Sequence, residues 1–324
     1  MILVTGGAGF IGSALIWGLN KRGVDNILVV DNLGFENDKW KNLTGLKFRD
    51  YMSKDRLLEY LNGNRISFRS VLHMGACSST TEKDCNYLIS NNYEYSKQLA
   101  LFCIKSRTQF IYASSAATYG DGSRGFSDKT PVEQLRPLNM YGFSKQMFDL
   151  WLLKNNFTEQ VTGLKFFNVW GPNEYHKKDM RSMVVRAWEQ IKENGRVKLF
   201  KSHHPDYADG MQKRDFVYIK DVVDMILQLW EKPSVKGIFN IGSGRASTWV
   251  DLVSPIFDSL QLEQKIDFIA MPEELRGKYQ YYTQAEMQKY ADAGLTVRNT
   301  QLADSVRDFV LNYLEPGKYL DAGE

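Results

Sequence analysis

The segment Tyr141-Gly142-Phe143-Ser144-Lys145 places a phenol and an ammonium four residues apart. At helical spacing the two side chains leave one face together. A nearby cation favours phenolate, which would lower the tyrosine pKa toward a value at which it takes and returns a proton. The pair is common by chance, and its weight comes from two segments upstream. Ala113-Ser114-Ser115-Ala116-Ala117-Thr118-Tyr119-Gly120 follows an apolar run, so Ser115 can bind a reacting hydroxyl and orient the phenol, although serines at strand ends more often cap turns. Gly6-Gly7-Ala8-Gly9-Phe10-Ile11-Gly12 follows the apolar opening of the chain. There Gly6 permits a tight turn, Gly9 lets backbone approach a pyrophosphate and Gly12 lets helix and strand pack closely. The helix N-terminus then offers free N–H groups and a positive dipole to phosphates. Glycines at the first, fourth and seventh places differ from the commoner dinucleotide spacing. Asp31 ends the second apolar run, roughly 20 residues on, where a carboxylate holds adenosine ribose hydroxyls and favours NAD. Lys39 and Lys41 in the next loop could instead neutralise a 2′-phosphate, or merely form a solvated face.

Those groups need a scaffold, and composition bounds it. The chain has 324 residues, 43% apolar and 24% charged, with a formal net charge of +3. It can fill a sizeable core, and its mild basic excess suits an anionic small molecule; no Lys/Arg run suggests nucleic acid. Cys77, Cys85 and Cys103 have no metal-ligand spacing and read as reduced thiols, and His176, His203 and His204 have no metal-like arrangement, so no metal is expected. Met1 to Thr5 lacks the charged start of a signal peptide, and no apolar run approaches a membrane span. A cytoplasmic protein without membrane or nucleic-acid partners is expected.

Apolar runs at 2–5, 26–30, 70–73, 109–112 and 161–167 alternate with helical patterns at 10–21, 91–105 and 141–155. Such alternation predicts βαβ units in a doubly wound parallel α/β sheet of Rossmann type, with ligands at the carboxyl ends of the strands. Residues 46–48 read as strand-like, with Asp50 beyond them either an adenine contact or an exposed turn residue. After Phe167 the pattern loosens into a polar loop over 168–178, a helix near 180–193 and a second polar stretch over 203–213. Helices follow at 219–230, 249–260 and 300–313, with a strand at 237–241. The division expected is a cofactor unit, 1–168 with 214–242, and a smaller interleaved α/β substrate unit, 169–213 with 243–324.

The chain resembles the extended short-chain dehydrogenase/reductases, and within them the nucleotide-sugar epimerases that act on an ADP-heptose. The resemblance rests on the opening Val4-to-Ser13 run, on Gly75-Ala76-Cys77-Ser78-Ser79-Thr80-Thr81-Glu82 and on the Tyr112-to-Gly120 run. It continues through Asn168-Val169-Trp170-Gly171-Pro172, Glu174, His176-Lys177, Lys213-Arg214-Asp215-Phe216-Val217-Tyr218, Tyr279-Gln280 and Thr283-Gln284-Ala285. It implies NADP, with NAD the lesser alternative, held by Phe10, Ile11, Asp31, Asn32, Lys39, Lys54, Met74, Gly75, Ala76, Cys77, Ser78, Asn91, Lys145, Val169 and Lys177. It implies acid/base roles for Tyr141 and Lys177, and sugar-nucleotide contacts from Asn168, Asp179, Arg186, Phe200, Lys201, Ser202, His203, Arg214 and Tyr279. It further implies a homo-oligomer, pentameric in relatives. Asp179, Arg186 and Met74 depart from the family pattern, which has serine, histidine and glutamate there, and the insertion 204–212 is longer than usual. Read without the resemblance, Lys177 is a flexible loop cation, Arg214 can pair bidentately with a diphosphate oxygen although an Arg-Asp neighbour pair is more often structural, and Tyr279 could be core packing; His73, ending an apolar strand, is a satisfied buried histidine.

The reaction implied is inversion at C6″ of an ADP-heptose through a 6-keto intermediate, in lipopolysaccharide core heptose biosynthesis. A 4,6-dehydratase fits poorly, because Ala116 and Ala117 stand where an acidic pair would protonate the leaving hydroxyl. A UDP-hexose 4-epimerase shares the Ser/Tyr/Lys set. A non-catalytic nicotinamide-binding redox sensor should lack that set.

Overall fold

A computed structural model describes residues 1–63, 66–276 and 279–323. Seven strands form a parallel sheet: β1 (Ile2–Thr5), β2 (Ile27–Asp31), β3 (Asp50–Ser53), β4 (Ser70–His73), β5 (Gln109–Ser115), β6 (Thr162–Phe166) and β10 (Gly237–Ile241). Their order, β10-β6-β5-β4-β1-β2-β3, reverses direction between β1 and β4, the switch point at which this fold opens a crevice. Residue alternation explains why both faces must be covered. Ile2 and Val4, like Ile27 and Val29, pack on one side; Leu3, Leu28 and Val30 pack on the other. Sheets buried on both faces read as continuous apolar runs, which is how β1 and β2 read in the sequence.

Helices α1 (Phe10–Lys21), α2 (Lys54–Gly63), α3 (Tyr95–Ser106) and α4 (Met140–Lys154) follow β1, β3, β4 and β5. Leu57, Leu61, Leu99, Ala100, Cys103, Phe148 and Leu152 bring α2, α3 and α4 to one face. On the other lie α1 and α6 (Ile219–Glu231), through Leu15, Leu19, Val223 and Leu227. Helix α5 (Met183–Asn194), helix α7 (Trp249–Leu260) and helix α8 (Leu302–Phe309) pack together, with α7 against both α5 and α8. A three-stranded sheet of β7 (Asn168–Trp170), β9 (Lys213–Tyr218) and β11 (Ala246–Thr248) and a two-stranded sheet of β8 (Val197–Phe200) and β12 (Ile266–Ile269) lie beyond the main sheet. Among the described residues no helix is long and apolar enough to cross a membrane.

Two local expectations are corrected. The strand after β2 is β3, at 50–53, and not 46–48, because β3 pairs with β2 in parallel from Leu28↔Asp50 to Asp31↔Ser53. Asp50 is exposed and accepts its hydrogen bond from the Tyr51 N–H at 2.8 Å, outside the cleft described below. The stretch 168–178, expected as loop, begins with β7, whose residues pair with Phe216 to Tyr218. Its alternation is too short to read as a strand in isolation. The helix expected over 91–105 is entered through a π-helical turn, Ile89–Glu94. Such turns carry an extra residue per turn and often lie at functional sites.

His73 is a buried relay at the end of β4. Its Nδ1 lies 2.5 Å from Thr5 Oγ1 and its Nε2 2.9 Å from Ser96 Oγ. Ser96 spends its proton on the Asn92 carbonyl at 2.6 Å, so Nε2 carries the imidazole proton and Nδ1 accepts. Burial lowers the His73 pKa from 6.5 to about 3, with the Lys145 cation adding to it. Between those values the unfolded chain binds the proton and the folded chain does not, so stability rises with pH there and is lost as pH falls below the ordinary histidine value. We expect His73→Asn to flatten the stability–pH curve between pH 4.5 and 6.5 by up to about 1.4 kcal/mol per pH unit. Urea unfolding at several pH values measures it, and identical slopes for the two proteins would refute the relay.

Candidate active site

The cleft opens where the carboxyl ends of β1, β4 and β5 face β7 and the smaller sheets, and has a volume of about 1200 Å³. One wall is the turn between β1 and α1. Gly6 has φ +65°, which a side chain would strain, and a Cβ on Gly12 would lie 2.0 Å from the Gly6 carbonyl oxygen. The α1 N-terminus has no side-chain cap and no acidic residue in its first turn, leaving its dipole for an anion. At the far end of that turn Asp31 accepts from the Ala8 N–H at 2.9 Å, the Asn32 N–H at 2.7 Å and Lys39 Nζ at 2.5 Å. A turn that only glycine can make, an open helix terminus and a fixed carboxylate fit a dinucleotide.

The catalytic candidates converge. Ser115, Tyr141, Lys145 and Lys177 all line the cleft. Asn139 caps α4 by accepting the Gly142 N–H at 2.8 Å, which starts the helix one residue before Tyr141. The tuning of the phenol differs from expectation. Burial raises the Tyr141 pKa, the Ser115 hydroxyl draws it down, and Cys77 opposes. Lys145 instead donates to the Ala113 carbonyl at 2.9 Å, and burial lowers its own pKa from 10.5 to about 8 against the pull of Asp149. Proximity in sequence gave the pair; the strand that receives the ammonium decides what it does. Lys177 lies with its Nζ 5.1 Å from the centroid of the Phe10 ring, a cation–π distance. Burial lowers its pKa while the carboxylate of buried Glu174 raises it.

Beneath these groups Asp149, one turn beyond Lys145, holds a buried network. It accepts from Tyr112 at 2.8 Å, Ser114 at 2.7 Å and Lys165 at 2.9 Å, and Lys165 also reaches Thr118 at 2.6 Å. The ion pair is almost fully enclosed, at 2% and 0% side-chain exposure. Through Tyr112 and Ser114 the network ties α4, which carries Tyr141, to β5, which carries Ser115, and through Lys165 it ties α4 to β6. Removing one partner would leave the other charge buried and uncompensated. We expect Asp149→Ala to destabilise the fold by about 3–5 kcal/mol; denaturant unfolding measures it, and a loss below about 1 kcal/mol would contradict the network's role.

Of the expected cofactor contacts, Gly6, Gly9, Phe10, Ile11, Gly12, Asp31, Lys39, Met74, Gly75, Ala76, Cys77, Ser78, Lys145, Val169 and Lys177 line the cleft. Asn32, Lys54 and Asn91 do not. Lys54 donates to Asn91 at 2.9 Å, and the Asn32 carbonyl receives Lys39 at 2.9 Å. Of the expected sugar-nucleotide contacts, Asn168, Arg186, Phe200 and Tyr279 line it. Exposed Asp179, Lys201 and His203 and half-buried Ser202 lie away from it. Arg214 lies behind the wall: its guanidinium carbon is 5.0 Å from the Tyr279 ring centroid and 5.8 Å from that of Trp249, and its nitrogens bond the Lys213 and Gln280 carbonyls. Sequence reasoning missed Trp249 and the polar stripe Gln190, Asn194, Arg196 and Lys198, which extends the cleft along α5 and β8. The i, i+4 spacing of Arg186, Gln190 and Asn194 was the available signal. It also missed Asn92, whose side chain accepts the Cys77 N–H at 2.8 Å and donates to the Cys77 carbonyl at 3.0 Å, fixing that segment at the cleft edge.

A doubly wound sheet with this glycine turn and this Ser/Tyr/Lys set defines a nicotinamide-dependent enzyme, and residues 2–242 match the family model described as "NAD dependent epimerase/dehydratase family". The chain belongs to that family. It is 51% identical over 317 residues to an ADP-L-glycero-D-manno-heptose-6-epimerase of Nitratidesulfovibrio vulgaris, covering 97% of this chain and 98% of that one. An enzyme of the same name from Fusobacterium nucleatum is 47% identical over 326 residues, again covering 97% and 98%. Among solved structures, the Helicobacter pylori ADP-L-glycero-D-manno-heptose-6-epimerase superposes with a TM-score of 0.79 at 28% identity, over 96% of this chain and 95% of that one. The Bacillus cereus UDP-glucuronic acid 4-epimerase, solved with UDP-glucuronic acid and NAD, superposes with a TM-score of 0.78 at 25% identity, over 98% and 99%.

Proposed function

We propose that this chain epimerises C6″ of ADP-D-glycero-β-D-manno-heptose to the L-glycero form, in the cytoplasm, for lipopolysaccharide core heptose. One observation carries the reading: two proton-transfer groups, Tyr141 and Lys177, line one cleft from different elements, α4 and the segment after β7. When the sugar side chain turns its other carbonyl face to the same hydride donor, the oxygen moves to a different place, and two acid/base groups at different positions suit that inversion. A bound nicotinamide dinucleotide, NADP in this reading, supplies the hydride acceptor and donor that no side chain offers.

The chain's own residues do the rest. One of Tyr141 and Lys177 withdraws the C6″ hydroxyl proton as the carbon is oxidised to a ketone. After the sugar side chain turns to present its other face, the second group returns a proton to the oxygen as the carbon is reduced. No net oxidation results. Ser115 bonds the reacting oxygen and lowers the phenol's pKa, and burial favours the neutral amine of Lys177. Gly6, Gly9, Gly12 and the α1 terminus seat the diphosphate of the dinucleotide. Asn168, Arg186, Phe200 and Tyr279 hold the ADP-sugar, with Arg214 steadying the Tyr279 ring from behind. The cofactor unit is taken as 1–168 with 214–242, and the substrate unit as 169–213 with 243–324.

Incubation with ADP-D-glycero-manno-heptose, followed by proton NMR, should show the C6″ epimer appearing, and UDP-glucose should remain unchanged. Tyr141→Phe should lower turnover by about 10²–10⁴-fold while cofactor affinity by calorimetry holds within twofold, roughly 0.4 kcal/mol. Absence of the epimer with wild-type protein that has bound cofactor would overturn the proposal.

A further inference from the structure

We infer that His176 is a second group, with Lys39, that reads the phosphate on the adenosine 2′-oxygen of the dinucleotide and so sets the preference for NADP over NAD. The inference rests on the cofactor reading above and assigns that selectivity to a residue with no proton-transfer role in the reaction.

The argument starts at Asn42, which is fully buried in the short helical segment Lys39–Leu43. Its Nδ2 lies 2.9 Å from the Ala8 carbonyl oxygen and 3.1 Å from His176 Nδ1. A carbonyl only accepts, so the amide nitrogen must face Ala8, and both its protons are then spent on Ala8 and on the imidazole. His176 Nδ1 is therefore an acceptor and the ring proton sits on Nε2, in a side chain that lines the cleft. On the other side of the same turn the Ala8 N–H donates to Asp31 at 2.9 Å, and Lys39 pairs with Asp31 at 2.5 Å. One turn of backbone thus links imidazole, amide, carboxylate and ammonium.

Charge makes that corner a seat for an anion. Burial first, and then the Lys39 and Lys177 cations, disfavour the imidazolium, while Asp31 and the Asn173 backbone favour it, and the pKa lies at about 4. A second ring cation is therefore unwelcome until negative charge arrives. Asp31 has three donors already, from Ala8, Asn32 and Lys39, so its own charge is largely committed to the protein. In this fold the carboxylate ending the second strand marks where the ribose 2′-oxygen lies, and a cation beside it accommodates a 2′-phosphate. Lys39 supplies that cation, and the His176 Nε2–H supplies a donor from the opposite lip. The lip itself is fixed, since Asn173 donates to Ser13 Oγ at 3.0 Å and accepts the Leu320 N–H at 2.9 Å.

The test is binding, read two ways. Calorimetry should show wild-type protein stripped of cofactor binding NADP⁺ more tightly than NAD⁺. His176→Ala should weaken NADP⁺ by about tenfold or more, as expected for a hydrogen bond to a charged group, and NAD⁺ by less than twofold. His176→Gln, which can accept from Asn42 and donate to phosphate, should recover part of the loss. In NMR, the His176 ring should titrate at higher pH when 2′,5′-ADP is bound and not when 5′-AMP is bound. Equal losses for both dinucleotides in His176→Ala, or a titration that ignores 2′,5′-ADP, would overturn the role of His176 and leave the cofactor reading standing. A wild-type protein that prefers NAD⁺ would overturn both.

Discussion

A methyl group placed on Gly6 would sit 2.5 Å from the backbone of Gly75, and one on Gly12 would sit 2.0 Å from the Gly6 carbonyl. The first contact presses the turn after β1 against the turn after β4 at the point where the sheet order reverses, and the second closes the first turn on itself. The space between neighbouring strands at a switch point is narrow, and only bare backbone leaves room there for a bulky anionic ligand. The other elements of the cleft are arranged around that closeness. α1 begins where the first turn ends, and the segment Met74 to Ser78 leaves the second turn to form the opposite lip.

Buried polar groups hold that geometry, each through bonds that burial makes costly to lose. His73 joins β1 to α3 through Thr5 and Ser96, and Ser96 passes the chain to the Asn92 carbonyl. Asn92 pins Cys77 at two points and bonds Ser144 at 3.0 Å. Asp149 does the same for α4, tying it to β5 through Tyr112 and Ser114 and to β6 through Lys165. A catalytic phenol must stand within hydrogen-bond reach of its substrate oxygen, and elements tied by fully satisfied buried networks cannot slide by the fraction of an ångström that would spoil this.

Electrostatics along the cleft runs from cationic to amphoteric. Lys39, His176 and Lys177 follow one another over the glycine turn, with Asp31 and Glu174 as the buried counter-charges. Desolvation lowers the pKa of both Lys145 and Lys177, so the site holds amines that exchange protons more readily than a lysine in water. Arg186, Arg196 and Lys198 extend positive charge to the far end along α5 and β8. Such a lining suits two anionic ligands laid end to end.

The sequence by itself determined the doubly wound sheet, because β1 and β2 are buried on both faces and leave apolar runs, and it determined the glycine turn and the Ser115, Tyr141 and Lys145 set, because each lies in a short local motif. Lys177 came from resemblance alone; as a loop lysine it carries no periodic signal. Tertiary structure decided the rest. Lys145 is claimed by the Ala113 carbonyl, Arg214 stands behind Tyr279, and Lys54 turns to Asn91, since each answers to a partner distant in the chain. The short strands β7, β8, β9, β11 and β12 likewise exist only through pairing with segments tens of residues away, and a run of three to six residues holds too few alternations to announce itself. Local pattern records what an element buries; it does not record what it will meet.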